Sequence, residues 1–277
     1  MQSFDPSRIG LDDPVYRARR CSIANKSAGP SIARIGYTQM EHACWRAVLA
    51  RLEPLHARHA CREHLEGWRA LALDRERAPE LADLDAAIWS IARFRLQPCA
   101  GLLDARAFFS ALAERKMPCT QYLRHPSHPE YTPEPDMVHE VVGHLSVLAD
   151  PRVADAVQRF GMVAASADAH HLEELERLFW FSFEYGLVEE GGELRAFGAG
   201  LLSSIGELEH AFGKHVTIRP FDAAIAAASV YDTMSLQPVV FAAGSVDDLL
   251  DRVMDQLLTC GRRMRGVSAL VQPDDRR

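Results

Sequence analysis

Apolar residues recur at helical spacing along most of this chain. Trp45, Val48, Leu49 and Leu52 fall on one face of a predicted helix, and Thr38 with Glu41 before them has the form of a capping box. Pro54 is expected to end or kink that helix; a second follows to about Leu73, and a third spans 79–94 with Leu84, Ile88 and Ile91 together. Asp104 can cap a helix that carries Phe108 and Leu112. Asp150-Pro151 opens another that runs to about Ala165, an Ala-rich helix starts at Asp222, and an amphipathic one covers 245–258. Short extended segments are predicted at 95–103, 120–124, 194–197, 216–218 and 239–242. Residues 1–33 show polar, Pro and Gly punctuation without a period and read as an irregular lead-in. The pattern predicts an α+β, mainly helical domain over 34–265, with a few short strands and a tail at 266–277.

Composition narrows the class. A chain of 277 residues, 48% hydrophobic and 25% charged, can bury a deep single core. A net charge of -7 without a basic stripe argues against a nucleic-acid surface. No stretch approaches membrane-spanning length, and the first ten residues lack the apolar core of a signal peptide. The six cysteines, at 21, 44, 61, 99, 119 and 260, form no Cys-x-x-Cys pair and read as reduced small hydrophobes. The expectation is a cytoplasmic protein with neither nucleic-acid nor membrane partners.

The chemistry is concentrated at 131–150, YTPEPDMVHEVVGHLSVLAD. Pro133 and Pro135 should hold the entry extended, Asp136 can cap, and Met137 to Leu148 can run as a helix. His139 and His144 are then five residues apart, about 140° round an ideal helix, which excludes the i, i+4 zinc-protease motif. They can share a metal only near a distorted turn, and Gly143 can relax the backbone or admit a close approach. Taken alone, the pair reads equally well as one packed and one solvated imidazole. Glu184 lies inside the apolar run LFWFSFEYGL at 178–187, where a carboxylate is costly without a charged partner. Two histidines and one carboxylate make the facial set of non-haem Fe(II) sites; the plainer reading puts Glu184 on an exposed edge.

Six stretches together carry a family likeness: HARHAC at 56–61, FRLQPCAGLL at 94–103, CTQYLRH at 119–125, YTPEPDMVHEVVGH at 131–144, FWFSFEYGL at 179–187 and FGAGLLSSIGEL at 197–208. In these the chain resembles the catalytic domain of the pterin-dependent aromatic amino acid hydroxylases, the phenylalanine, tyrosine and tryptophan hydroxylases. The resemblance implies that family's catalytic-domain fold. It also implies an Fe(II)- and tetrahydropterin-dependent monooxygenase, with O2 as co-substrate, that hydroxylates the ring of an aromatic L-amino acid. L-phenylalanine to L-tyrosine is the favoured outcome, and meta-hydroxylation of Phe or oxidation of Tyr or Trp is the near alternative. A zinc hydrolase or a non-catalytic amino acid binding module stands as the alternative from another class.

By the same resemblance His139, His144 and Glu184 hold iron, with Glu140 a carboxylate beside pterin and metal. Gly101, Leu102 and Leu103 meet the pterin through backbone while Phe108 stacks on it. Arg124 grips the substrate carboxylate, held in register by Asp136. Thr132, Pro135, Trp180, Tyr185, Gly200 and Ser203 form the amino acid site, Ser203 also supporting an iron-ligating histidine, and Tyr231 and Thr233 stand at its mouth. Without the resemblance, Phe108 reads as core, Arg124 as a solvated cation and Glu140 as an exposed helix residue. Two departures are visible: Ala105 replaces a serine near the pterin side chain, and Thr233 an apolar residue usual in phenylalanine hydroxylases. His42, His56, His59 and His64 are expected to be surface or packing residues, His170 and His171 exposed, and His125 and His128 without a ligand role. Animal members carry a regulatory domain and a C-terminal heptad helix; neither is read here, so the expectation is a monomer without regulatory-domain control.

Overall fold

Helices begin where the sequence supplies a cap. The structure, a computed structural model, describes residues 10–270 other than 11, 30, 131 and 133, with side chains as far as 264. The expected roles of Pro133 and the last seven residues therefore lie outside the described residues. Helix α1 (Pro14–Ser27) occupies much of the stretch expected to be irregular. Asp13 Oδ1 accepts the N–H groups of Val15 and Tyr16 at 2.8 and 3.2 Å, and Pro14 stands in the first turn. Only Ile23 and Ser27 of this helix are buried, so no apolar stripe advertised it.

The capping box at Thr38 is formed and opens α2 (Gln39–His59), which runs through Pro54 instead of stopping there. The buried face from Cys44 to His56 continues on both sides of the proline, and packing holds the last turn. Helices α3 (Arg62–Ala70) and α4 (Leu81–Ala92) follow, the latter closed by Arg93 at φ 58°. Strand β1 (Arg95–Cys99), helix α5 (Ala105–Ala113), capped by Asp104, and strand β2 (Lys116–Thr120) form a parallel pair with a helical crossover. The strand expected at 120–124 thus lies four residues earlier. Residues 121–124 lend their backbone elsewhere: Tyr37 Oη donates to Gln121 O at 2.8 Å, Met137 N to Tyr122 O at 2.7 Å and Tyr16 Oη to Leu123 O at 2.9 Å.

The second half holds the π-helical segment π1 (His139–Leu145) with its continuation α6 (Ser146–Leu148), α7 (Pro151–Ala165), α8 (Ala169–Phe179) and a second π-helical segment π2 (Trp180–Glu184). Strands β3 (Leu187–Glu190) and β4 (Glu193–Ala196) join through Gly191 and Gly192, both at positive φ, as a two-residue hairpin requires. After α9 (Ala199–Ser203), α10 (Ile205–Ala211), β5 (Thr217–Pro220), α11 (Ala223–Ala228) and β6 (Val239–Ala243), the sheet order is β4-β3-β6-β5. Helix α12 (Val246–Leu270) extends beyond the expected 258 and into the expected tail. Cys260 on it is buried, and Arg263 pairs with Glu174 of α8 at 2.7 Å, so this end still packs on the domain. Among the described residues no helix is long and apolar enough to cross a membrane.

Close backbone approaches set the layers behind the site. A Cβ on Gly161 would lie 2.5 Å from Ala113 N, so α7 can press on α5 only with glycine there. Phe109, Phe160, Phe179 and Phe183 join α5, α7, α8 and π2 through ring pairs at 5.1 to 5.4 Å.

His56 and His64 are packing residues, as expected, and both are almost fully buried. His56 Nε2 lies 2.7 Å from Leu202 O, its Nδ1 lies 3.2 Å from His64 Nε2, and His64 Nδ1 lies 2.7 Å from Ser146 Oγ. Leu202 O can only accept, so His56 donates to it and His64 donates to His56; the Ser146 hydroxyl, which also lies 2.6 Å from Val142 O, then turns its hydrogen to His64 Nδ1. Burial holds His56 down to about 4 and His64 well below its ordinary value. Their neutral forms are favoured by folding, so this stability is complete above the unfolded value near pH 6.5 and is lost as the pH falls toward 4. Each histidine should contribute a slope of up to about 1.4 kcal/mol per pH unit in that window. Urea unfolding at pH 7 and pH 5 should show a steep loss for the wild type, flattened in the His56→Gln/His64→Gln double variant.

Candidate active site

The five-residue spacing of His139 and His144 is resolved by the helix that carries them. In a π-helix the backbone bonds run i to i+5, so residues five apart stack above one another where an α-helix would turn them aside. Over His139–Leu145 the chain is π-helical, and the two imidazoles meet edge to face with centroids 4.7 Å apart. Gly143 serves a close approach, but of protein rather than ligand. A Cβ there would lie 2.7 Å from Ala199 O, which brings α9 against π1.

Glu184 ends the other π-helical segment and faces the pair, not an exposed edge. Its Oε1 lies 3.1 Å from His144 Nε2 and its Oε2 3.7 Å from His139 Nε2. One donor atom from each of the three residues falls within 4.8 Å of the others, the compact set a single divalent ion needs. Burial pushes the Glu184 carboxyl up, but His144 and His139 outweigh it and hold the group below the usual carboxylate range. His139 is held down to about 4, chiefly by burial, so its ring is neutral near pH 7.

The tautomer is also set. The Ser203 hydroxyl donates to Ala199 O at 2.7 Å, so its oxygen accepts from His139 Nδ1–H at 3.0 Å and leaves the Nε2 lone pair free for a metal. Although burial opposes this, Glu184 holds the His144 ring above its ordinary value, so a metal bound there would take the place of that proton. His139, His144 and the carboxylate then fit an iron(II) ion in charge, hardness and convergence.

Around this cluster lies a cavity of about 420 Å³. Every residue named from the sequence as a metal, pterin or amino acid contact lines it, while Asp136 stands behind Arg124. Gly101, Leu102, Leu103 and Phe108 are among its lining residues, as are Thr132, Pro135, Trp180, Tyr185 and Gly200. A Cβ at Gly101 would meet nothing within 4 Å, so the backbone there is open to a flat ligand. At Gly200 a Cβ would lie 2.7 Å from Tyr185 Cζ, so glycine lets that ring lie flat on α9. Trp180 stacks on Tyr231 at 4.2 Å and leans on Tyr185 at 4.6 Å.

Glu140 is buried, not exposed. Burial lifts its carboxyl to about 7, and Thr120 N donates to its Oε1 at 3.2 Å. Arg124 is likewise buried rather than solvated. Its Nε and Nη2 bind the two oxygens of Asp136 at 3.0 and 2.9 Å, Nη2 also reaches Ser203 O at 3.2 Å, and Nη1 donates to Pro129 O at 3.2 Å. Four of its five N–H groups are thus engaged by protein, and one on Nη1 remains for a ligand. Asp136 Oδ1 also accepts His139 N at 3.1 Å, so the expected cap is present.

Some placements differ from the sequence reading. His171 is buried and bonded to Asp168, the cap of α8, while His170 beside it is exposed as expected. His125 and His128 are not among the residues that line the cavity. Ser204 and Glu207 have the sequence spacing of a capping box, and Ser204 accepts from Glu207 N, but the Glu207 carboxylate does not close the box: it accepts Gln237 N at 3.3 Å. Burial lifts Glu207 to about 7, and it lines the cavity with Glu176 and Phe179, none of which was named as a site residue. Phe179 and Glu207 fall inside stretches that carry the family likeness, but their partners Phe108 and Gln237 are distant in sequence.

Comparison with known proteins agrees with this geometry. Residues 2–265 match the family model of biopterin-dependent aromatic amino acid hydroxylases. Tyrosine 3-monooxygenase of Rattus norvegicus is 41% identical over 262 residues, covering 90% of this chain and 53% of the relative. Phenylalanine-4-hydroxylase of Mus musculus is 37% identical, covering 90% and 57%. The chain spans about half the length of the curated relatives it matches. Among solved structures, phenylalanine hydroxylase of Chromobacterium violaceum with bound iron(III) and 7,8-dihydrobiopterin superposes with a TM-score of 0.76 at 30% identity, over 86% of this chain and 85% of that one. The cold-active phenylalanine hydroxylase of Colwellia psychrerythraea gives 0.77 at 27% identity, over 83% and 90%. By sequence, by fold and by the donor set at its centre, the chain belongs to the biopterin-dependent aromatic amino acid hydroxylases.

Proposed function

We propose that this protein is an iron(II)- and tetrahydropterin-dependent monooxygenase that hydroxylates the ring of L-phenylalanine to give L-tyrosine. One observation carries the reading: His139, His144 and Glu184 open onto a cavity that is also lined by the backbone segment Gly101 to Leu103, by the aromatic rings of Phe108, Trp180 and Tyr185, and by the buried Arg124. In this reading those three residues hold the iron, which with the pterin supplies the activation of O2 that ring hydroxylation needs. The chain's own part is placement. Gly101 to Leu103 and Phe108 receive the pterin, with Glu140 beside it. The remaining Nη1–H of Arg124 meets the substrate carboxylate, and Ser203 keeps His139 in the tautomer that presents Nε2.

L-phenylalanine is the substrate because the aromatic wall offers faces. The Trp180 indole N–H is already engaged by Gln237 at 3.1 Å, so an unsubstituted ring meets π surface there. A specific observation also favours L-tyrosine as a second reading: Thr233 and Ser235 line the mouth and can meet a phenol hydroxyl. The proposal includes a cytoplasmic monomer, which sedimentation of the purified protein tests.

Anaerobically iron-loaded protein, given tetrahydropterin, O2 and L-Phe, L-Tyr or L-Trp in turn, should yield para-tyrosine from L-Phe, identified by chromatography and mass. Chelation should abolish product, with recovery on adding Fe(II) but not Zn(II); hydrolysis restored by Zn(II) would instead support the hydrolase. The His139→Ala and Glu184→Ala variants should each lose turnover by at least about a thousandfold and bind less iron by metal analysis. An active Glu184→Ala enzyme would remove it from the ligand set. Arg124→Lys should raise the KM for the amino acid roughly tenfold or more while leaving that for pterin in place, and should lower the thermal midpoint because Asp136 loses its bidentate partner.

A further inference from the structure

Gln237 touches no part of the cavity surface, yet both ends of its side chain hold groups that do. It lies between α11 and β6 and is 2% exposed. Its Oε1 accepts the Trp180 indole N–H at 3.1 Å. Its Nε2 donates to Asp232 O at 2.8 Å and Ser235 O at 2.9 Å, which uses both amide hydrogens. The amide can point only one way, since an indole N–H needs an acceptor and two carbonyls need donors. The backbone of the same residue is pinned as well: its N–H donates to Glu207 Oε2 at 3.3 Å, and its carbonyl accepts from His210 Nε2 at 3.0 Å, both on α10.

The groups it joins form one face of the amino acid site. Trp180 carries a ring stack, Tyr185 on one side and Tyr231 on the other, with the Tyr231 planes 12° apart. The segment bound by the amide, Asp232 to Ser235, presents Thr233 and Ser235 to the same cavity. Val230, Met234 and Leu236 around it are exposed, so little apolar burial holds this segment in place. Met234 N and Ser235 Oγ bind Asp232, which closes the turn on itself but not onto the domain.

The geometry points to Gln237 as a specificity-determining positioning residue, whose amide locks the Trp180 ring and the 232–235 segment into one wall and so sets which aromatic side chain the cavity accepts. It acts through Trp180 and the segment, without meeting substrate. A carboxylate at 237 would set an oxygen against two carbonyls, and an apolar residue would leave the indole N–H and both carbonyls unmatched.

This inference rests on the proposed aromatic amino acid site, and binding tests it separately from turnover. Calorimetry should give the dissociation constants of L-Phe, L-Tyr and L-Trp on the iron-loaded wild type, on Gln237→Leu and on Trp180→Phe, which keeps an aromatic face but removes the indole N–H together with part of the fused ring. The ratio of L-Phe to L-Trp affinity should change by roughly five- to tenfold in each single variant, the scale of one lost buried hydrogen bond, with iron content unchanged. The Gln237→Leu/Trp180→Phe double variant should change it no further than the larger single effect, since both remove one link. If Gln237→Leu does not fold, Trp180→Phe and Gln237→Glu carry the same test. Unmoved ratios in a wild type that binds and hydroxylates would overturn this inference alone. A uniform loss for all three amino acids would overturn it too, because that marks a merely structural residue. A wild type that binds none of the three would remove the amino acid site and this inference together.

Discussion

The structure depends on a carboxylate that cannot stand alone. Glu184 is largely withdrawn from water among aromatic rings, and a charged group so placed needs an opposite charge or a strong donor close by. Two imidazoles converge on it, and the helix bearing them adopts π geometry over the one stretch where five-residue spacing must become a shared face. Glu184 itself closes a second π-helical segment. Such segments are uncommon and carry poorer backbone geometry than an α-helix, so their presence at both donor-bearing elements ties local strain to one centre. A divalent ion in that centre would meet the carboxylate charge and return the binding energy to both segments.

A second buried charge pair extends this arrangement to the substrate side. Asp136 accepts from the His139 backbone at the start of the ligand helix and from two side-chain nitrogens of Arg124. One carboxylate is therefore helix cap, counter-ion and aligner of the arginine. Removing one partner of a buried pair leaves an uncompensated charge, at a cost of about 3–5 kcal/mol. The proposed amino acid site and the metal site would share their orientation because they share that residue. Ser203 does the same from the other side, with its carbonyl on Arg124 and its hydroxyl on His139.

What the sequence disclosed follows from how far apart the partners are. Caps and first turns are local, and Thr38, Asp104, Asp150 and Asp222 were legible because donor and acceptor lie within four residues. The metal triad was legible from residue types and a family resemblance, while the π-helical turn that reconciles its spacing was visible only as a problem of angle. Failures cluster where distant groups take over backbone bonds. The segment 121–124 reads as strand by composition, but tyrosine hydroxyls and the start of the ligand helix claim its carbonyls. Glu207 fits a capping box by spacing, yet its carboxylate answers an N–H thirty positions later. Helix α1, in the stretch that reads as an irregular lead-in, carries no apolar stripe, since it buries so little.

The same distinction explains why the class of reaction is more legible than the substrate. In the proposed function, iron, pterin and the amino acid carboxylate are met by residues that project directly from short motifs, so residue identity carries the chemistry. The aromatic ring is met by faces, and faces discriminate weakly: a methylene or hydroxyl more or less against an apolar wall changes binding by about 1–3 kcal/mol. Selectivity must then come from where the wall stands. Trp180 stands where a glutamine 57 positions away holds it, and the mouth segment stands where the same amide holds its carbonyls. Two chains with the same cavity-facing residues can therefore prefer different rings if this buried layer differs, and a comparison confined to cavity-facing positions would miss the cause.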